Sequence, residues 1–329
     1  MRAVITATGR YLPKRVLTNF DLEKMVDTSD EWIRMRTGIE ERHLVAEGEA
    51  TSDMCAAVSR QLMERAGKTP DEIDLIIIAT VTPDMPFPAT AAIVQDKIGA
   101  ANAWAFDLSG ACSGFLYALE TGTKLVESGK YKNVIVLGAD TMSSIIDYTD
   151  RNTCVLFGDG AGGVLLEPSD KDTGVLDAIL HTDGKGRAFL HMPAGGSLLP
   201  ASRATVENRL HYVVQDGKKV FKFAVKKMAD ISAEILKKNG FTGEDIKLYI
   251  PHQANKRIID AARERCNLSE DKVLINIQKY GNTTAGTIPI GIDEAVEEGR
   301  LTEGDLLLLA AFGGGFTWGS ILIRWDALK

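Results

Sequence analysis

Cys112 stands in the run Gly110-Ala111-Cys112-Ser113-Gly114, which has the glycine spacing of a nucleophile elbow with a thiol in place of a hydroxyl. Glycines permit a tight turn from strand into helix. A thiol at a helix N-terminus meets a partial positive charge that favours thiolate. A contribution of about 1 kcal/mol would bring it from roughly 8.5 to about 7.8. The competing reading is a buried, inert cysteine. His252 sits in Tyr249-Ile250-Pro251-His252-Gln253-Ala254-Asn255, after an apolar strand and before a helix. Asn282, in Tyr280-Gly281-Asn282-Thr283-Thr284, precedes a further helix, where an asparagine could equally be an N-cap. A neutral imidazole and a carboxamide are fixed donors. Together they can hold the charge that builds on a thioester oxygen when a malonyl group loses CO2. Gly313-Gly314-Gly315 allows backbone amides to approach a tetrahedral oxyanion closely.

These residues are far apart in sequence, so the elements that carry them must converge. The chain repeats itself. Thr69-Pro-Asp-Glu-Ile-Asp-Leu-Ile-Ile resembles Thr242-Gly-Glu-Asp-Ile-Lys-Leu-Tyr-Ile at an offset of 173 residues, and Gly67 and Gly240 keep that offset. A second pairing, counted back from Gly129 and Gly299, sets Asn282 opposite Cys112 at an offset of 170. A third sets Phe157-Gly-Asp-Gly opposite Phe312-Gly-Gly-Gly. Strands alternating with helices in a duplicated unit predict an α/β fold of two mixed, mainly parallel sheets layered with helices. Ligands then gather at carboxyl ends of strands, where Cys112, His252 and Asn282 all fall. The expected organisation is a half carrying the nucleophile (1–170), a Gly-, Pro- and His-rich connector or insertion without counterpart (171–218), and a half carrying His252 and Asn282 (219–329).

Gly158-Asp-Gly160-Ala-Gly-Gly163 fits the dinucleotide pattern but runs into Val164-Leu165-Leu166, a strand where a helix is required. The net charge of −7 disfavours nonspecific nucleic-acid binding. No basic start followed by a long apolar run predicts a leader or a membrane span. Cys55, Cys112, Cys154 and Cys266 show no CxxC spacing. The expectation is a cytoplasmic protein with free thiols and neither zinc nor disulfides.

The blocks Thr28-Ser29-Asp30-Glu31-Trp32-Ile33, Arg36-Thr37-Gly38-Ile39, Gly110 to Gly114, Pro251 to Asn255, Gly281-Asn282-Thr283 and Phe312 to Gly319 span nearly the whole chain. In the order Cys, His, Asn they resemble the beta-ketoacyl-acyl-carrier-protein synthase III family of the thiolase-like superfamily. The resemblance implies that Cys112 takes an acyl group from coenzyme A, with short primers such as acetyl favoured. His252 and Asn282 would then stabilise the enolate of decarboxylating malonyl-acyl carrier protein, and the two would condense. This is the first step of fatty acid synthesis and needs no cofactor. It further implies an oxyanion hole from the amides of Cys112 and Gly314, with Phe312 shaping the site. A CoA tunnel would be lined by Thr28, Trp32, Arg36, Arg151, Gly217, Phe221, Ala254 and Asn255, with Trp32 and Arg151 sandwiching the adenine. A carrier contact would involve Gln253, Ala254, Asn255, Lys256 and Arg257, on a basic face that includes Lys222, Lys226 and Arg265. A homodimer would bring Phe87 to the partner's acyl pocket. Lys218 and Glu264 depart from the family pattern, the first near CoA and the second in the docking patch. Three other readings stay open: a related acyltransferase or starter-unit synthase of secondary metabolism, a cysteine hydrolase, and a silent binding homologue.

Overall fold

The computed structural model describes residues 1–328. Its first strands are β1 (Arg2–Tyr11), the small antiparallel pair of β2 (Arg15–Thr18) and β3 (Glu41–Leu44), then β4 (Leu75–Ala79), β5 (Trp104–Leu108), β6 (Val134–Asp140) and β7 (Gly160–Ser169). There follow β8 (Gly174–Thr182), the short pair β9 (Leu190–His191) and β10 (Val214–Gln215), and β11 (Ile246–Pro251), β12 (Leu306–Gly313) and β13 (Thr317–Arg324). The helices are α1 (Asn19–Leu22), α2 (Asp30–Thr37), α3 (Thr51–Ala66), α4 (Thr90–Ile98), α5 (Gly114–Glu127), α6 (Arg203–Glu207), α7 (Gly217–Lys238), α8 (Lys256–Arg265), α9 (Ile277–Tyr280) and α10 (Thr287–Glu297).

The unbroken apolar runs become buried central strands, as β4 and β6 show along their whole length. One sheet has the order β1-β7-β6-β4-β5 and the other β11-β12-β13-β8. Parallel pairing is confined to β5-β4-β6 and β11-β12, and the flanks are antiparallel. The antiparallel share exceeds the expectation because β6 reaches β7, and β12 reaches β13, without a crossover helix. Five layers result. α3 and α4 cover the outer face of the first sheet, and α7 and α8 that of the second. α5 and α10 lie between the sheets and share one apolar core with both.

The segment 171–218 is more than a connector. It contains β8, which pairs with β13 as the second sheet's edge as β1 pairs with β7 in the first, and its last two residues already belong to α7.

The repeat also needs a corrected register. Ala111–Ser113 and Thr284–Gly286 each form one 3-10 turn, opened by a left-handed residue, Ala111 (φ 48°) and Thr284 (φ 48°), ahead of α5 and α10. The 173-residue offset therefore persists, and the counterpart of Cys112 is Ala285. Counting from Gly129 and Gly299 misplaced Asn282 by three residues because α10 has 11 residues against 14 in α5. By the same offset Phe312 matches Ala139. Phe157 lies in an irregular stretch before β7, not after a strand. The Gly158–Gly163 run does enter a strand, β7.

Candidate active site

The elbow at Cys112 is built by contacts across the two halves. Thr317 Oγ1 donates to Gly110 O at 2.8 Å, and Ser113 Oγ donates to Thr317 O at 3.1 Å. These bonds lock the loop to the start of β13. Gly313 packs against the nucleophile so closely that a Cβ there would lie 2.7 Å from Cys112 N. Neither flanking glycine is left-handed; that conformation falls on Ala111. Cys112 is 7% exposed. Burial, with a smaller effect from the Asp140 charge, pushes its thiol up to about 12. Burial and the nearby carboxylate thus act against the thiolate bias expected of the helix terminus. The other three cysteines are also free and buried.

His252 follows the last residue of β11, and its N–H donates to Ala310 O at 2.8 Å. Burial lowers the imidazole to about 3, so it is neutral. Nδ1 meets Thr287 Oγ1 at 2.7 Å, while Nε2 is buried without a partner. Asn282 is held by its backbone, its N–H donating to Leu156 O at 2.9 Å and its carbonyl accepting from Gly158 N at 3.1 Å. Its Oδ1 accepts from Thr284 N at 2.9 Å. This bond turns Nδ2 outward as the free end, so the side chain both closes a local turn and presents a donor. Cys112, His252 and Asn282 line one cavity of about 380 Å3. At rest the thiol and the imidazole are both uncharged.

That cavity runs to the surface past Trp32, Arg36, Gly217, Lys218, Phe221, Ala254, Asn255 and Arg257, with Phe312 deep in its wall. The Arg151 guanidinium lies 4.7 Å from the Trp32 ring centre and also meets Asp27 at 3.5 Å. Arg257 lies 4.8 Å from the Phe221 ring centre. Asn255 caps α8 and donates from Nδ2 to Arg36 O at 2.9 Å, tying α8 to α2. A second cavity of about 350 Å3 lies on the other side of Cys112, with walls including Val81, Met142, Ile145, Met192 and Val213. Gly314 and Leu190 also border it, and Leu190 lines both cavities.

Some expected residues fall elsewhere. Gln253 is 1% exposed, and its amide is fully engaged with Pro251 O, Leu274 O and Asn276 N. It braces β11 internally and offers nothing to a docking protein. Thr28 is not in the cavity wall, and its hydroxyl is buried without a partner. Lys256 pairs with Asp260 and Arg265 with Asp230. Phe87 projects into solvent, 85% exposed. Thr287 and Leu190 escaped the sequence reading, since nothing in their local pattern marks them, and Ser113 and Thr317 entered it only as members of motif blocks with no role assigned. Ala285 N donates to Asp140 Oδ2 at 3.3 Å, and Thr284 Oγ1 donates to the same oxygen. The other oxygen of that buried carboxylate accepts from Thr80, Val81 and Thr82.

Residues 106–184 match the family model described as 3-oxoacyl-[acyl-carrier-protein (ACP)] synthase III, and residues 236–325 match its C-terminal companion. The chain is 55% identical over 326 residues to the beta-ketoacyl-[acyl-carrier-protein] synthase III of Koribacter versatilis, covering 98% of each. It is 57% identical over 329 residues to the Chlorobium chlorochromatii protein of the same name, covering 99% of this chain and 100% of that one. The crystal structure of 3-oxoacyl-[acyl-carrier-protein] synthase III from Aquifex aeolicus superposes with a TM-score of 0.91 at 46% identity, over 98% of this chain and 100% of that one.

Proposed function

The chain belongs to the beta-ketoacyl-[acyl-carrier-protein] synthase III family, and from that premise we propose the course of its reaction. An acyl-CoA primer acylates Cys112, and the acyl-enzyme condenses with malonyl-acyl carrier protein to start a fatty acid. In the first stage the sulfur attacks the primer carbonyl, and CoA departs carrying the proton that Cys112 loses. In the second, the malonyl group loses CO2. The resulting carbanion attacks the acyl carbonyl, a carbon–carbon bond forms, and the carbon–sulfur bond breaks. The departing sulfur takes up a proton and the thiol is restored.

The observation that carries this reading is the single cavity holding Cys112, His252 and Asn282, open to solvent beside Trp32 and unpaired cations. A pantetheine arm suits such a passage. Trp32 and Arg151 would part to admit the adenine between them. Arg36 and Arg257, which make no ion pair among the described residues, suit phosphates and an acidic carrier. Nε2 of His252 and Nδ2 of Asn282 would donate to the enolate oxygen, and the amides of Cys112 and Gly314 to the tetrahedral intermediate. The second, apolar cavity would take the primer, with its outer end closed by Phe87 of a second copy. That arrangement makes the working form a homodimer. Free thiols suit the reducing cytoplasm. No helix among the described residues is long and apolar enough to cross a membrane.

Intact-mass measurement after mixing with acetyl-CoA tests the first stage: an acetyl adduct should form and vanish in Cys112→Ala. His252→Ala and Asn282→Ala should still acylate but lose about 100-fold in malonyl decarboxylation, from about 3 kcal/mol per donor removed. An undiminished adduct in Cys112→Ala, or normal CO2 release in both other variants, would overturn the assignment.

A further inference from the structure

An imidazole that must donate from one nitrogen needs its other nitrogen to act as an acceptor. In His252 the second nitrogen is Nδ1, and among the described residues its hydrogen-bond partner is Thr287 Oγ1 at 2.7 Å. Both side chains are buried, His252 at 2% and Thr287 at 3% exposed. The Thr287 hydroxyl has one proton and two acceptors in reach, Nδ1 at 2.7 Å and Thr284 O at 3.2 Å. The shorter contact is near the optimum for a hydroxyl donor and the longer is beyond it. A proton given to Nδ1 makes the shorter of the two bonds, whereas one given to Thr284 O would leave Nδ1 as the donor and Nε2 without a proton.

We infer that Thr287 is a positioning residue: its hydroxyl donates to Nδ1 of His252 and thereby fixes the tautomer whose Nε2–H faces the cavity shared with Cys112 and Asn282. The opposite tautomer would set a lone pair at Nε2, repelling an enolate oxygen instead of stabilising it. Thr287 is the first residue of α10, so the central-layer helix that packs against both sheets also orients the imidazole. The role of the tautomer in catalysis rests on the condensation proposed above. The tautomer itself does not, and the two can be tested separately.

Nitrogen-15 NMR of histidine-labelled protein, assigned with His252→Ala, reads the tautomer directly. The wild type and Thr287→Ser should show a protonated Nε2 and an unprotonated Nδ1 at His252. Thr287→Val, which keeps the shape and removes the hydroxyl, should lose that uniform state. Its malonyl decarboxylation should fall about tenfold in kcat with little change in KM, while acylation of Cys112 by acetyl-CoA stays within about twofold. Thr287→Ser should restore the loss. A proton on Nδ1 in the wild type would overturn the inference. So would a Thr287→Val enzyme with unchanged tautomer and decarboxylation, or a serine variant as impaired as the valine one. Normal decarboxylation in His252→Ala would instead sink the role assigned to the imidazole and leave the tautomer result standing.

Discussion

Acidification from about pH 8 to about pH 5 should cost the folded protein about 2 kcal/mol through His252 alone. The ring is 2% exposed and burial lowers it from the usual 6.5 to about 3. Below pH 6.5 the unfolded chain binds a proton there, and the native chain does not until about pH 3. The contribution is thus fully present above pH 6.5 and is lost progressively as pH falls toward 3. Each pH unit in that window is worth about 1.4 kcal/mol, so one and a half units amount to about 2 kcal/mol. Urea unfolding of the wild type and of His252→Gln, at one protein concentration and both pH values, isolates the effect from other groups. The wild type should lose about 2 kcal/mol more than the variant. Equal losses would show that the imidazole titrates normally in the native state, and the argument from burial would fail.

Two further outcomes follow from the elbow. Gly313→Ala places a Cβ 2.7 Å from Cys112 N and 3.1 Å from both Cys112 Cβ and Ser113 N. The nucleophile must shift, and condensation should fall at least about 100-fold with a lowered Tm; activity within about twofold of wild type would refute the close approach. Alkylation of Cys112 by iodoacetamide should rise about tenfold per pH unit through pH 9 without levelling, because the thiol is pushed up to about 12. A plateau near pH 7 would show that a group beside it supports thiolate.

What the residues disclosed on their own was local. The runs Leu75 to Ala79 and Leu248 to Pro251 read as buried strands because continuous apolarity has few other uses. Cys112, His252 and Asn282 could be placed at element ends from the turns around them. What stayed hidden depends on distant packing. Thiolate character at Cys112 was overestimated because Asp140 and the closing walls at Leu190 and Phe157 come from other parts of the chain. The family motif put Gln253 in the carrier contact, yet its amide turns inward to Leu274 and Asn276. The mirror of Cys112 was misjudged because a helix shortened by three residues leaves no mark in the glycines at its ends.

With the corrected register, Asp140 in β6 occupies the place that Gly313 occupies in β12, and Ala285 the place of Cys112. The bare glycine brings no side-chain acceptor to the Cys112 amide, which even a Cβ would crowd. In the other copy the aspartate sets a carboxyl oxygen against the corresponding N–H. The ancestral symmetry has thus been broken by filling one of two matching receptors from within. A thiol introduced at Ala285 would find its receptor already occupied, and a second reactive centre would require emptying position 140 as well.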